Sequence, residues 1–261
     1  MGATIVEGRD ADAATRPRPA RSAGPAPIYI VCSPTRRVGK TLVARLLTEH
    51  HLADARPVAA FDLADEGPRL ADFLPDHARL ATIRDIRGQM RFFDGLIEAN
   101  QAPKIIDVSH REFRNFFVVA EKIGLFEEAR RRAIEPLILF LIDPDPMAAK
   151  AYAQLRRRFT GTSLLPVRNL TVAKGLPYGA AFPHASTLAV SLEIPVLGPA
   201  ARAHIDRETF SFADFARDAQ PRVGLSTRPR EELESWLRRV RFQFREMELG
   251  LICEQILTAL Q

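Results

Sequence analysis

The residues best placed to do chemistry lie in "SPTRRVGKT", from Ser33 to Thr41, between the apolar run "IYIVC" and the stretch "LVARLL". Gly39, Lys40 and Thr41 have the types and order of a loop that holds phosphate where a helix begins. In such a loop backbone N–H groups curl round the phosphates, a lysine reaches the terminal ones, and a threonine hydroxyl ligates Mg2+. Gly39 permits the close backbone approach, and Lys40 and Thr41 supply the other two functions. The first half of the loop departs from G-x-x-x-x-G-K-[ST]. Pro34 stands at the first glycine, where it removes one N–H donor and fixes φ. Arg36 and Arg37 stand where small residues are usual. Two readings of that pair stay open: guanidinium groups that face phosphate and act on transition-state charge, or a solvated pair. The plainer reading of the whole loop is a helix start with an exposed lysine.

Two carboxylates complete the constellation. Asp62 ends the apolar run "AAFDL" and Asp107 ends "KIIDVS". Doubly wound sheets bind ligands at the carboxyl ends of their strands, so both are expected near the loop. A carboxylate there holds Mg2+, the part expected of Asp107 with Thr41, or orients the attacking water, the part expected of Asp62. The plainer alternative is that each caps the turn that follows it. Asp65 and Glu66 come next and suit a mobile switch. "SHREFRNFF" follows Asp107, and Ser109 and His110 are candidates to face a terminal phosphate, although a lone histidine beside a loop is more often polar surface. No zinc spacing, no G-x-S-x-G elbow and no G-x-G-x-x-G fingerprint occurs.

The elements that must position these groups alternate along the chain. Apolar runs at 27–32, 57–63, 103–109, 135–143, 163–169 and 193–198 read as strands. Helical patterns fall between them: "GKTLVARLLTEHHL", "PRLADFL", "GQMRFFDGLIEAN", "REFRNFFVVAEKIGLFEEARRR" broken near Gly124, "DPMAAKAYAQLRRRF" with Asp145 as N-cap and Pro146 at its first position, and "FPHASTLAVSL". In the 88–100 helix Met90, Phe93, Leu96 and Ile97 are expected to face inward. Unbroken apolar strands between helices predict an α/β fold, a doubly wound and mostly parallel sheet flanked by helices, over 27–225. Residues 1–26 are rich in Ala, Arg, Pro and Gly and read as a disordered tail. Residues 226–261 read as a long C-terminal helix whose Leu233, Leu237, Val240, Phe244, Met247 and Leu251 make an apolar seam. That seam packs on the sheet domain, or serves a dimer, or, least of the three, a membrane surface.

Composition sets the outer bounds. With 261 residues, 46% hydrophobic and 26% charged, the chain can bury a sizeable core. No apolar run is long enough to span a bilayer and the N-terminus lacks a signal-peptide core, which predicts a cytoplasmic protein. Cys32 and Cys253 read as reduced thiols, not as a disulfide or metal site. The net charge of +5 and the arginine triplets 130–132 and 156–158 allow non-specific DNA contact, while helix-end arginines beside helix dipoles explain the triplets as well.

Over about 28–215 the order and spacing resemble the ParA/MinD-type ATPases of the SIMIBI class of P-loop proteins, a class that also holds dethiobiotin synthetase. "SPTRRVGKT" resembles their Walker A loop, which would make Pro34, Thr35, Val38, Gly39, Lys40 and Thr41 nucleotide contacts. "FDLAD" resembles the segment with the second-strand Asp, and "KIIDVS" resembles Walker B. "LFLIDPDP" is similar to the strand leading into a P-x-P turn. "LLPVRN" resembles the strand that ends in an adenine-contacting Asn, here Asn169, and "EIPVLGPAARAHID" resembles the segment lining the base. The resemblance implies Mg2+ and ATP as cofactors, a homodimer sandwiching two nucleotides, a slow ATPase, a protein partner, and a partition or positioning role. The family's signature lysine falls on Thr35, and its two following glycines fall on Arg36 and Arg37, so the half of the loop that couples a dimer is rewritten. Two other readings stay open: an ATP-dependent small-molecule ligase of the dethiobiotin-synthetase type, and a non-catalytic interaction module that keeps the fold.

Overall fold

The computed structural model describes residues 26–64, 66–98, 102–132, 134–173, 181–183, 192–217 and 224–259. The tail expectation for 1–26, apart from the buried Ala26, and most of the helix expected from "FPHASTLAVSL" lie outside them.

Among the described residues, seven strands form one sheet: β1 (Pro27–Cys32), β2 (Ala59–Asp62), β3 (Ala78–Leu80), β4 (Lys104–Asp107), β5 (Glu135–Ile142), β6 (Ser163–Asn169) and β7 (Leu192–Ile194). Their order is β3-β2-β4-β1-β5-β6-β7, and every neighbouring pair is parallel. The sheet thus matches the α/β expectation. The chain builds outward from β1 in both directions, so the carboxyl end of β1 lies at the switch of strand order, where such sheets bind ligands. In register, Val31 on β1 faces Asp107 on β4, and Asp107 faces Asp62 on β2.

Strand alternation sends side chains to two faces, and each face has its own core. Tyr29, Val31, Ile105, Leu139 and Leu165 point to one side, with α1 (Lys40–Ala53), α2 (Leu70–Phe73), α7 (Pro199–Ile205), α8 (Phe212–Ala216) and α9 (Thr227–Ala259). Ile28, Ile30, Ile106, Ile138 and Phe140 point to the other, with α3 (Ile86–Ile97), α4 (Phe113–Lys122), α5 (Leu125–Arg131) and α6 (Pro146–Arg158). The local signals act as read. Gly124 adopts φ 67 and separates α4 from α5. The Asp145 carboxylate accepts the Met147 N–H at 2.9 Å and starts α6 at Pro146.

Three details differ. The edge strand β3 was not foreseen, because its three residues bury only Ala78 and carry no alternation. The strand expected over 193–198 stops at Ile194, since Pro195 has no N–H for the ladder. Met90 is exposed, not inward. Phe92 takes its place because its ring packs edge-on against Phe61 and Phe93, which rotates the buried stripe of α3 onto Phe92, Phe93 and Leu96.

The seam of α9 packs on its own domain. Leu233, Val240, Phe244 and Met247 are fully buried in the core that also holds α1. Gln243 clamps the edge strand β7, accepting from the Glu193 N–H at 2.6 Å and donating to the Glu193 carbonyl at 2.9 Å. The strand edge is thereby covered. No helix among the described residues is long and apolar enough to cross a membrane.

Candidate functional site

The loop between β1 and α1 carries two unusual backbone positions. Arg37 has φ 60 and Gly39 φ 101, both left-handed. Only glycine fits at 39: a Cβ there would lie 2.5 Å from Asn169 Nδ2. Asn169, at the end of β6, is buried behind the loop. Its Nδ2 donates to the Val38 carbonyl at 3.0 Å and its Oδ1 accepts the Thr171 N–H at 3.1 Å. Both ends of this amide are occupied in holding the loop to the sheet. Among the described residues, the N–H groups of Gly39 to Leu42 donate to no backbone carbonyl. These donors, at the unsatisfied first turn of α1, form a cradle for an anion.

Lys40 is buried and bends back across the loop, donating from Nζ to the Thr35 carbonyl at 2.6 Å. Burial pulls its ammonium pKa down, against the charges of Asp107, Cys32 and Asp143. Thr41 donates its hydroxyl to Asp107 Oδ2 at 2.6 Å. Asp107 Oδ1 is buried and has no hydrogen-bond partner among the described residues. Burial pushes the Asp107 carboxyl up to about 7, opposed by the Thr41 hydrogen bond and reinforced by the nearby Asp62 charge.

Asp62 and Asp107 have separate duties. Asp62 Oδ1 accepts the Ala64 N–H at 2.8 Å and its Oδ2 accepts the Ala71 N–H at 3.0 Å. It holds the β2–α2 connection, as the capping alternative has it, and burial raises its pKa against those hydrogen bonds. Asp107 is the carboxylate that meets the loop.

A cavity of about 480 Å³ collects Arg36, Arg37, Gly39, Lys40, Thr41 and Asp107. Glu66, His110, Arg202 of α7 and Asp206 just beyond α7 also line it. Arg36 and Arg37 are exposed at this cavity, and neither has an ion-pair partner among the described residues. Glu66 is paired with Arg111 at 2.5 Å, while Asp65 lies outside the described residues. Burial, then the charges of Lys40, Arg111 and Arg36, keep His110 below its usual pKa, hence neutral near pH 7. Pro34 does not line this cavity; it walls a separate groove between α4 and α6. Thr35 and Val38 contribute carbonyls that accept from Lys40 and Asn169.

Two participants were not singled out from the sequence. Asp143 follows β5 as Asp62 and Asp107 close their strands; it is buried, and its Oδ2 has no partner among the described residues. Its strand-end position was the available signal. Arg45 lines the same cavity although it is almost fully buried. It pairs with Glu49 at 2.9 Å, donates to the Ile205 carbonyl at 2.6 Å, and lies over the rings of Phe73 and Phe212. Nothing in a helical pattern marks an arginine that will be buried.

The donor set suits a hard divalent cation. A hydroxyl and a carboxylate with an orphaned buried oxygen are oxygen ligands of the kind Mg2+ takes. Among the described residues no group of three His, Cys, Asp or Glu side chains is arranged to hold a metal alone. Mg2+ commonly takes one or two protein oxygens, with phosphate and water completing its shell. Compared with known proteins, the chain matches no family model and no curated protein.

Proposed function

We propose that the chain binds Mg-ATP at this loop and is a slow, dimerising ATPase of ParA/MinD-like type with a partition or positioning role. The observation that carries the nucleotide reading is the Thr41–Asp107 hydrogen bond at 2.6 Å, set under an N–H cradle and beside a buried Lys40. That lysine needs an anionic partner to offset its lost hydration, and a phosphate chain supplies one. Backbone N–H groups from Gly39 to Leu42 orient the phosphates. Arg36 and Arg37 add charge on the solvent side, near the place of the family's signature lysine. Thr41 and Asp107 would hold Mg2+, which neutralises phosphate charge and acts as a Lewis acid. Arg202 of α7 and Asp206 just beyond it, ion-paired to each other at 2.9 Å, would stand on the side of the base or ribose.

Slow turnover follows from Asp62. It is fully buried, is not among the residues lining the cavity and holds two backbone N–H groups, so it is poorly placed to orient a water. The ParA/MinD assignment is supported by the loop, the strand-end aspartates and the parallel sheet. Calorimetry with Mg-ATP on the native chain and Lys40→Ala tests the site, with light scattering for mass. Binding lost in Lys40→Ala and an ATP-dependent rise to dimer mass are expected. No heat with the native chain would overturn the nucleotide reading. Binding with turnover only on adding a carboxylate metabolite would replace it with a ligase.

A further inference from the structure

A second groove, of about 660 Å³, runs between α4 and α6 and ends against Pro34. Its floor is apolar. Phe117 and Leu155 are buried beneath it, and Phe113 and Ala151 are half-buried along it. Met147 stands at its edge, 60% exposed in the first turn of α6. Met147, Lys150, Ala151, Gln154 and Arg157 stand at i, i+3, i+4, i+7 and i+10, so one face of α6 forms a whole wall.

The rim is cationic and unneutralised. Arg114, Lys150 and Arg157 are exposed, and none has an ion-pair partner among the described residues. Some exposed arginines elsewhere are paired, Arg132 with Glu128 and Arg217 with Asp214 among them. Arg158, at the groove's end, is itself held by Glu121. An apolar trough bordered by unpaired cations is a surface of mixed character, and exposed patches of that kind mark interaction sites.

We infer that this groove docks an acidic amphipathic segment of a partner protein. Apolar side chains of the segment fill the trough, and its carboxylates meet Arg114, Lys150 and Arg157. Duplex nucleic acid would satisfy the cations but leave the apolar floor uncovered. A second copy of this chain would have to bring an acidic face of its own to Arg114, Lys150 and Arg157. The inference stands apart from the nucleotide reading and is tested without nucleotide. Because Pro34 belongs both to the groove and to the loop, an occupant touches the loop's first half.

The probe is a labelled helical peptide of about 18 residues, with leucines on one stripe and glutamates elsewhere. Fluorescence anisotropy follows its binding to the full chain. A lysine-for-glutamate peptide and a short DNA duplex are compared. The variants are Lys150→Glu with Arg157→Glu, Met147→Glu, and Arg87→Glu on the exposed side of α3 as a control. All four positions are exposed, so folding is retained, which circular dichroism checks. The acidic peptide is expected to bind and the lysine peptide not. The double variant should weaken binding by about tenfold or more, and Met147→Glu should weaken it too, with Arg87→Glu unchanged. Equal binding of both peptides, or unchanged affinity in the double variant, overturns the inference. So does DNA binding that depends on Lys150 and Arg157 while the acidic peptide stays free.

Discussion

Asp107→Asn isolates the group on which the site's electrostatics turn. In the fold Asp107 titrates at about 7, against 3.8 for an exposed aspartate. Burial is the main cause; the Thr41 hydroxyl and Lys40 resist it, and Asp62 adds to it. A raised folded pKa favours the fold fully below the unfolded value, and that contribution is lost as pH climbs through the folded one. Between about pH 5 and about pH 8 the loss is on the order of 2–3 kcal/mol. Asparagine keeps an oxygen to accept from Thr41 but cannot ionise. The variant's stability relative to the native chain should therefore rise by that amount over the same interval, whatever the fixed cost of the amide. Urea unfolding read from Trp236, the single tryptophan, measures it. Parallel pH curves for the two proteins would refute the raised Asp107. With Mg-ATP the dependence should reverse, because a metal-bound carboxylate must be ionised. Native affinity then increases through pH 7, while that of Asp107→Asn stays low and flat.

Gly39→Ala should destabilise the chain by about 2–3 kcal/mol, combining left-handed strain with loss of the Asn169–Val38 hydrogen bond when Asn169 is pushed away. A change below about 0.5 kcal/mol in denaturant unfolding would mean the loop backbone relaxes freely. Arg37→Gly relieves φ 60 and should stabilise the free protein by about 1 kcal/mol while weakening Mg-ATP binding about tenfold. Unchanged affinity by calorimetry would make Arg37 a solvated residue. Phe244→Ala should cost about 3–5 kcal/mol, since its ring is fully buried in the α9 seam and packs 5.6 Å from the His50 ring. Native-like urea midpoints would show that α9 is held by its polar clamps alone.

The fold was legible because parallel strands buried on both faces read as plain apolar runs, and β5, "EPLILFLI", is the clearest. What escaped was decided by neighbours. The period of α3 admitted both Met90 and Phe92, and only the ring of Phe61 across the core chose between them. The polar residues buried on α1 carry no pattern of their own: Arg45 and Glu49 are interior because Ser211, the Ala213 N–H and the Ile205 carbonyl receive them. Of the site, Gly39, Lys40, Thr41 and Asp107 were readable from type and spacing. Asp107 is expected beside Thr41; whether Asp62 orients a water or caps its own turn stays open in the sequence, because both aspartates close adjacent strands at the same register.

The same strand ends also frame the half of the loop that carries Arg36 and Arg37. A glycine at 37 would reach the left-handed region at little cost, and arginine there is strained by about 1 kcal/mol. Strain of this size persists where surroundings hold it. Here the hold comes from behind. Asn169 grips the Val38 carbonyl, Gly39 leaves room for that amide, and Lys40 ties Thr35 from the other side. With those three positions fixed, the short stretch between them has little freedom except to turn Arg36 and Arg37 outward, where both are exposed on the cavity. A loop of glycines would present only N–H groups at that place. This one presents N–H groups with two exposed guanidinium groups beside them, so under the proposed nucleotide reading phosphate recognition would move from the backbone toward side-chain charge. Binding should then depend on salt more steeply than in a glycine loop, since exposed guanidinium contacts are screened and buried N–H contacts much less so. Calorimetry of Mg-ATP from low to physiological ionic strength should show the native affinity falling and that of an Arg36→Gly, Arg37→Gly protein falling less. Equal slopes would place both arginines away from the phosphates.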